Sequence, residues 1–233
     1  MLQQQNEKQV TIAANINRVR QEMAAACDRA GRSVSEVTLI AVSKTVDVNA
    51  ISMAASCGIT DFGENRLQEA KPKIEQLPDL RWHFIGSLQS NKAKAACQLV
   101  QCIHSLDRPA LVEALSGLSG PDIPKLLMQV NISGEVSKHG VAPEKAIELA
   151  KRISHAGLPL CGLMTIAPLV EDTELVRPIF RQLRILSEKI RDLALPGVSM
   201  ECLSMGMSGD FTVAIEEGAT MVRVGSAIFG RRY

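Results

Sequence analysis

The sequence predicts an α/β fold: a single-domain (β/α)8 TIM barrel with an extra N-terminal helix, spanning residues 1–233. Three observations predict it. Short, nearly continuous apolar runs alternate with stretches carrying helix signals, giving eight strand-then-helix units behind one leading helix. The runs are apolar at successive positions, as strands of a parallel sheet buried on both faces are. No GxGxxG follows the first run, which removes the main support for a doubly wound open sheet.

The elements follow in order. Ile12, Ile16, Val19, Met23 and Ala26 recur at helical spacing, and Gly31 is placed to end that first helix. Strands are expected over 37–42, 59–63, 82–85, 102–106, 126–132, 158–164, 200–203 and 221–224. Between them, Asp47 can cap a helix that ends at Gly58, and Asp107 with Pro109 opens another. Pro72 falls inside the stretch 67–77 and is expected in the first turn of its helix, where a missing N–H costs nothing. Pro143 begins a further helix. Ile179, Leu183, Leu186, Ile190 and Leu193 mark the apolar face of a longer one, and Asp210 can cap a short one ending at Gly218.

Composition narrows the function. With 26 Lys+Arg against 25 Asp+Glu the formal charge is +1, and aromatics are only 3%. A basic footprint and a base-stacking platform are both missing, so nucleic acid is not an expected partner. Apolar residues at 46% and charged residues at 22% are ordinary for a globular chain. Six cysteines without a CxxC pair, mostly in apolar stretches, fit a reducing compartment. The first ten residues lack a signal-peptide core, and no apolar run is long enough to span a bilayer, so the expected location is cytoplasmic. His83, His104, His139 and His155 show no close ligand spacing, and no metal is expected.

In such a barrel the active site lies at the carboxyl ends of the strands. The first run ends Ala41-Val42-Ser43-Lys44; alternation places Lys44 with Ile40 and Val42, pointing into the barrel top. A lysine desolvated there is a nucleophile toward aldehydes, although a solvated loop lysine fits the position too. Phe62-Gly63-Glu64-Asn65 offers polar groups at the second exit, where Asn65 could instead cap the next helix. His83 sits among apolar neighbours, as core histidines do, and Lys92 and Lys94 suit a solvated helix face. The last two exits, Ser204-Met205-Gly206-Met207-Ser208-Gly209-Asp210 and Val222-Arg223-Val224-Gly225-Ser226, combine hydroxyls, glycines and helix starts. Loops after strands 7 and 8 of these barrels often hold phosphate, and glycine lets the backbone approach an anion. Arg223, on the face of Met221 and Gly225, would be buried inside the barrel and so requires a partner; Glu64, Glu201 and Asp61 are candidates.

Together these motifs, with His83-Phe84-Ile85-Gly86, Leu88-Gln89-Ser90-Asn91-Lys92 and Phe229-Gly230, closely resemble the pyridoxal phosphate homeostasis protein family. These are stand-alone barrels related to the N-terminal domain of alanine racemase, and the resemblance runs from Ile12 to Gly230. It implies pyridoxal 5′-phosphate (PLP) held as a covalent aldimine on Lys44, with Asn65 beside the ring and Arg223 facing the pyridine nitrogen. It also implies phosphate contacts from Ser204, Ser208, Gly225 and Ser226. Because an arginine does not accept the ring proton, the cofactor becomes a weaker electron sink than one paired with a carboxylate.

The resemblance implies a protein of intracellular PLP homeostasis and supply without catalytic turnover, with no catalytic residue to assign and apo PLP-dependent enzymes as possible recipients. The alternatives are an amino-acid racemase of the alanine racemase-like fold and a Schiff-base aldolase. A two-base racemase needs a proton donor on each face of the α-carbon. Lys44 supplies one, and for the other only His83 or a cysteine can be argued; the lone Tyr233 stands at the chain end and no second domain is expected, so the enzyme reading is disfavoured and a monomer is expected. An aldolase would leave Arg223 without a role.

Overall fold

A computed structural model describes residues 2–118, 123–135 and 138–230. Eight strands, β1 (Thr38–Val42), β2 (Asp61–Glu64), β3 (Arg81–Phe84), β4 (Cys102–Leu106), β5 (Lys125–Gln129), β6 (Leu160–Met164), β7 (Val198–Ser204) and β8 (Met221–Val224), close in chain order into a parallel barrel. The closure is visible at Ile40, which lies opposite Asp61 on β2 and opposite Arg223 on β8. The expected strands are all present. That expected over 126–132 ends at Gln129, and Val130 continues only as an isolated bridge to Val141.

Strand alternation divides the buried side chains into two cores. Phe62, Trp82, Ile103, Leu126, Met128, Leu163 and Val222 face the helices and join their apolar stripes in one large cluster. Phe62 and Trp82 pack with ring centroids 5.7 Å apart, and the indole N–H of Trp82 donates to the carbonyl of Leu77 at 3.1 Å. Inside the barrel the apolar set is small, with Cys102, Leu127, Met164 and Cys202 as one cluster and Ile40 beside it, and buried polar residues such as Asp61, His83, His104, Ser204 and Arg223 share the interior.

The leading helix α1 (Leu2–Arg29) buries Ile12, Ile16, Val19, Met23 and Ala26 and packs on α2 (Val48–Ser56), α8 (Phe211–Glu216) and α9 (Ser226–Phe229). It thereby covers the seam where β1 meets β8. Asp47 caps α2 by accepting the N–H of Ala50 at 2.8 Å, and Gly58 follows with φ +79°. Three expectations need correction. Pro72 is the sixth residue of α3 (Leu67–Gln76), not in its first turn; it is exposed, as is Gln68, whose carbonyl loses its usual donor. α7 (Arg177–Arg191) stops before Leu193, which is exposed. Asp107 and Asp210 make no side-chain cap: Asp107 binds Arg108, and Asp210 accepts the N–H of Met207 instead. The remaining helices are α4 (Ala93–Leu99), α5 (Pro109–Ser116) and α6 (Pro143–His155). Among the described residues no helix is long and apolar enough to cross a membrane. The six cysteines are unpaired; Cys27, Cys102 and Cys202 are buried, and the other three are half-buried.

Candidate functional site

Lys44 stands two residues beyond the end of β1. It is exposed, not desolvated as the alternation suggests, because the strand ends at Val42 and the chain turns at Ser43. The turn is fixed from the helix layer. Ser43 Oγ donates to Glu64 Oε1 at 2.7 Å, and Lys73 Nζ donates to the Ser43 carbonyl at 2.8 Å and to Glu64 Oε1 at 2.7 Å. Thr45 follows at φ +61°, a left-handed conformation that a β-branched residue rarely adopts, with its N–H on Glu69 Oε2 at 3.3 Å. Lys44 thus projects from a segment anchored on both sides.

The exits of β7 and β8 lie together. Ser208 Oγ accepts the N–H of Gly225 at 3.2 Å and of Ala227 at 3.3 Å, so two backbone donors converge on one oxygen. Gly225 abuts the end of β1: a Cβ there would come within 3.3 Å of both Val42 Cβ and its carbonyl oxygen. Gly206, at φ +91°, has no room for one either, since a Cβ would meet Ala214 Cβ at 2.6 Å. Ser226 is exposed at the start of α9. The β7 and β8 exits and the Lys44 turn therefore occupy neighbouring strand ends.

Arg223 points into the barrel and is only 4% exposed. None of the carboxylates expected as its partner reaches it. Its Nη1 donates to Ser204 Oγ at 2.6 Å and its Nη2 to the Thr165 carbonyl at 2.8 Å. Burial pushes the guanidinium down to about 10, with Asp210 opposing the shift, so it stays charged at neutral pH. Ser204, expected on the phosphate, has its hydroxyl wholly buried and taken up by Arg223 and by His104 Nδ1 at 2.9 Å.

Asn65 is half-buried and makes no cap to α3. Gly86 lies so close to its carbonyl that no side chain fits there. Asn65 lines a cavity of about 670 Å3 between α3 and α4, with Arg66, Phe84, Leu88, Lys92 and Leu99; the other expected site residues do not line it. Glu64 belongs to the barrel–α3 contact with Lys73 and not to the rim. The lone Tyr233 lies outside the described residues.

One grouping escaped the sequence reading. His83, His104 and Cys102 bring their donor atoms within 4.8 Å of one another, all buried. They come from adjacent strands, so their spacing along the chain carries no ligand signature. The two rings are hydrogen-bonded directly, His83 Nδ1 to His104 Nε2 at 3.0 Å. That contact has hydrogen-bond length, shorter than the roughly 3.3 Å or more that separates two nitrogens on a tetrahedral ion with bonds of about 2.0–2.1 Å.

Residues 11–232 match the family model "Alanine racemase, N-terminal domain". The chain is 44% identical over 225 residues to the pyridoxal phosphate homeostasis protein of Aquifex aeolicus, covering 93% of this chain and 96% of that one. It superposes with TM-score 0.79 on PipY of Synechococcus elongatus with PLP bound, at 36% identity over 94% of this chain and all of that one. Alanine racemase of Corynebacterium glutamicum shares the fold, at TM-score 0.72 and 17% identity, with 96% of this chain matching 61% of the racemase. A barrel with this order of motifs, matched end to end by such relatives, belongs to the pyridoxal phosphate homeostasis protein family.

Proposed function

We propose that this protein binds PLP at the carboxyl ends of β1, β7 and β8 and holds it for supply to other proteins, without sustained turnover. The observation that carries this reading is the pair of N–H donors of Gly225 and Ala227 converging on Ser208 Oγ, on a loop packed against the end of the strand that leads to Lys44. An anion cradle beside an accessible primary amine suits a phosphorylated aldehyde. PipY, a relative at 36% identity, binds the same cofactor, and the curated relatives are named for its homeostasis.

In this reading Lys44 Nζ is the attachment point for the cofactor's aldehyde, with water as the leaving group. Ser208, Ser226 and the backbone of Gly225 take the phosphate, and Asn65 lies beside the ring. Arg223 faces the pyridine nitrogen, and Ser204 holds Arg223. Bound PLP supplies an electron sink; Arg223, which does not accept the ring proton, leaves the ring nitrogen without a carboxylate partner and weakens that sink. Residues 1–233 act as one domain, as a monomer in the cytoplasm, with apo PLP-dependent enzymes as recipients.

The test is the absorption spectrum of the protein with PLP before and after borohydride, followed by peptide mass analysis. Colour fixed by reduction, with the added mass on the Lys44 peptide, supports the reading; no bound PLP overturns it. Incubation with single L-amino acids in deuterated water separates supply from catalysis. Label exchange without accumulating D-isomer is expected, and D-isomer formed over many turnovers would make the protein a racemase.

A further inference from the structure

A continuous chain of hydrogen bonds crosses the barrel interior from solvent to Arg223. At the start of β3, partly exposed Arg81 grips Asp61 through Nε at 3.0 Å and Nη2 at 2.6 Å. Asp61 Oδ1 lies 3.0 Å from His83 Nε2, and His83 Nδ1 lies 3.0 Å from His104 Nε2. His104 Nδ1 reaches Ser204 Oγ at 2.9 Å, and Ser204 Oγ accepts from Arg223 at 2.6 Å. Asp61, His83, His104, Ser204 and Arg223 are all buried, His104 and Ser204 completely.

Counting hydrogens orders this chain. Arg223 can only donate. Asp61 can only accept: burial pushes its carboxyl up, but hydrogen bonds from His83, Arg81 and Thr60 outweigh it and hold it well below the usual carboxylate range. Three links lie between these ends, Ser204 to His104, His104 to His83, and His83 to Asp61. Three hydrogens are available, the Ser204 hydroxyl hydrogen and one on each neutral imidazole. One arrangement fills every link: Ser204 donates to His104 Nδ1, His104 Nε2–H to His83 Nδ1, and His83 Nε2–H to Asp61. Placing the His104 hydrogen on Nδ1 would turn a bare His83 nitrogen toward a carboxylate unless a further proton entered the chain.

We propose that His83 and His104 are positioning residues for Arg223, each locked as the Nε2–H tautomer so that Ser204 presents only lone pairs to the guanidinium. With its hydroxyl hydrogen committed to His104, Ser204 joins the Thr165 carbonyl in fixing the guanidinium plane by two acceptors. The Asp61 carboxylate orients the whole relay, acting on Arg223 through Ser204. The link to the cofactor ring rests on the PLP reading above; the tautomers and the fixed guanidinium do not.

The experiment has two arms on the full chain. Without cofactor, at pH 8, long-range 1H–15N correlation of the histidine rings reads the tautomers, and the side-chain N–H signals of Arg223 read its immobilisation. Both rings should be neutral and Nε2-protonated. Either ring found as the Nδ1–H tautomer or doubly protonated overturns the relay. Ser204→Ala and His104→Phe should lose the slowly exchanging Arg223 signals, and Ser204→Thr, which keeps the hydroxyl, should retain them. In the second arm, PLP affinity should fall about tenfold or more in Ser204→Ala and His104→Phe, as loss of one hydrogen bond to a charged group predicts, and be kept in Ser204→Thr. His83→Gln serves as the milder variant if His104→Phe does not fold. Unchanged Arg223 signals and unchanged affinity in folded variants overturn the proposal. A wild type that binds no PLP overturns the cofactor reading alone, because the first arm needs none.

Discussion

Lys73 Nζ bridges Glu64 Oε1, at 2.7 Å, and the carbonyl oxygen of Ser43, at 2.8 Å, tying α3 to the turn that carries Lys44. Both side chains are buried, and the second carboxylate oxygen of Glu64 has no hydrogen-bond partner among the described residues. Breaking such a pair from one side leaves an uncompensated charge in the helix layer. Lys73→Met should destabilise the protein by about 3–5 kcal/mol. The double variant Lys73→Met with Glu64→Gln should recover part of that loss. Urea unfolding of the two singles and the double measures the coupling, and strict additivity would show that the pair does not act as a unit.

Lys44→Ala should abolish covalent capture of PLP and leave the fold intact. The side chain is exposed, so its removal opens no cavity, and the stability change should stay within about 0.5 kcal/mol. Borohydride reduction with mass analysis checks the first half and thermal unfolding the second. If the variant still captures cofactor, Lys92 and Lys138 are the next lysines to replace.

Ser208→Ala and Ser226→Ala should each weaken PLP retention without abolishing it. Each removes one hydrogen bond to a charged phosphate, worth about 1.5–3 kcal/mol, while the backbone donors remain. Ser208→Ala should have the larger effect, since Ser208 also holds the Gly225 and Ala227 amides in place. Equilibrium dialysis against PLP reads both; unchanged affinity in both variants would move the phosphate elsewhere.

Stability should depend on acid through two groups of the interior chain. Complete burial, with nearby His83 and Arg223, holds His104 well below the usual histidine range. The unfolded chain therefore takes a proton near pH ~6.5 that the folded chain refuses. This contribution is present in full above that pH and lost below it, at about 1.4 kcal/mol per pH unit. Asp61, held low, adds stability present above pH ~3.9 and lost as pH falls further. Urea midpoints measured between about pH 5 and 6.5 should show a flatter slope in His104→Phe than in the wild type. Equal slopes would mean that His104 titrates alike in both states.

Much of this architecture is legible along the chain because it is periodic. Two-sided apolar runs such as those at Cys102–Leu106 and Met221–Val224 have few places to go except a covered parallel sheet, and both strands form with the expected limits. Gly31 and Gly58 end their helices with positive φ, as their position predicts. Lys44, Ser208, Gly225 and Ser226 are candidates by one rule, that chemistry sits where strands stop, and the structure places all four at strand exits. Pro72 escaped because tolerance of a proline in the second turn depends on whether that face of α3 meets water.

What the sequence by itself determined is the alternation of elements, the strand ends that bear polar groups, and a buried arginine in need of a partner. Only the tertiary structure decided who that partner is. Ser204 and Thr165 meet Arg223 from β7 and from just beyond β6, His83 meets His104 from the adjacent strand, and His104 on β4 reaches Ser204 on β7 across the barrel. Barrel closure turned Ser204 inward to the arginine and left Ser208 at the mouth, although both belong to one short motif. Alternation says that two side chains share a face; only strand register and the curvature of the barrel say which atoms on opposite walls lie within hydrogen-bonding distance.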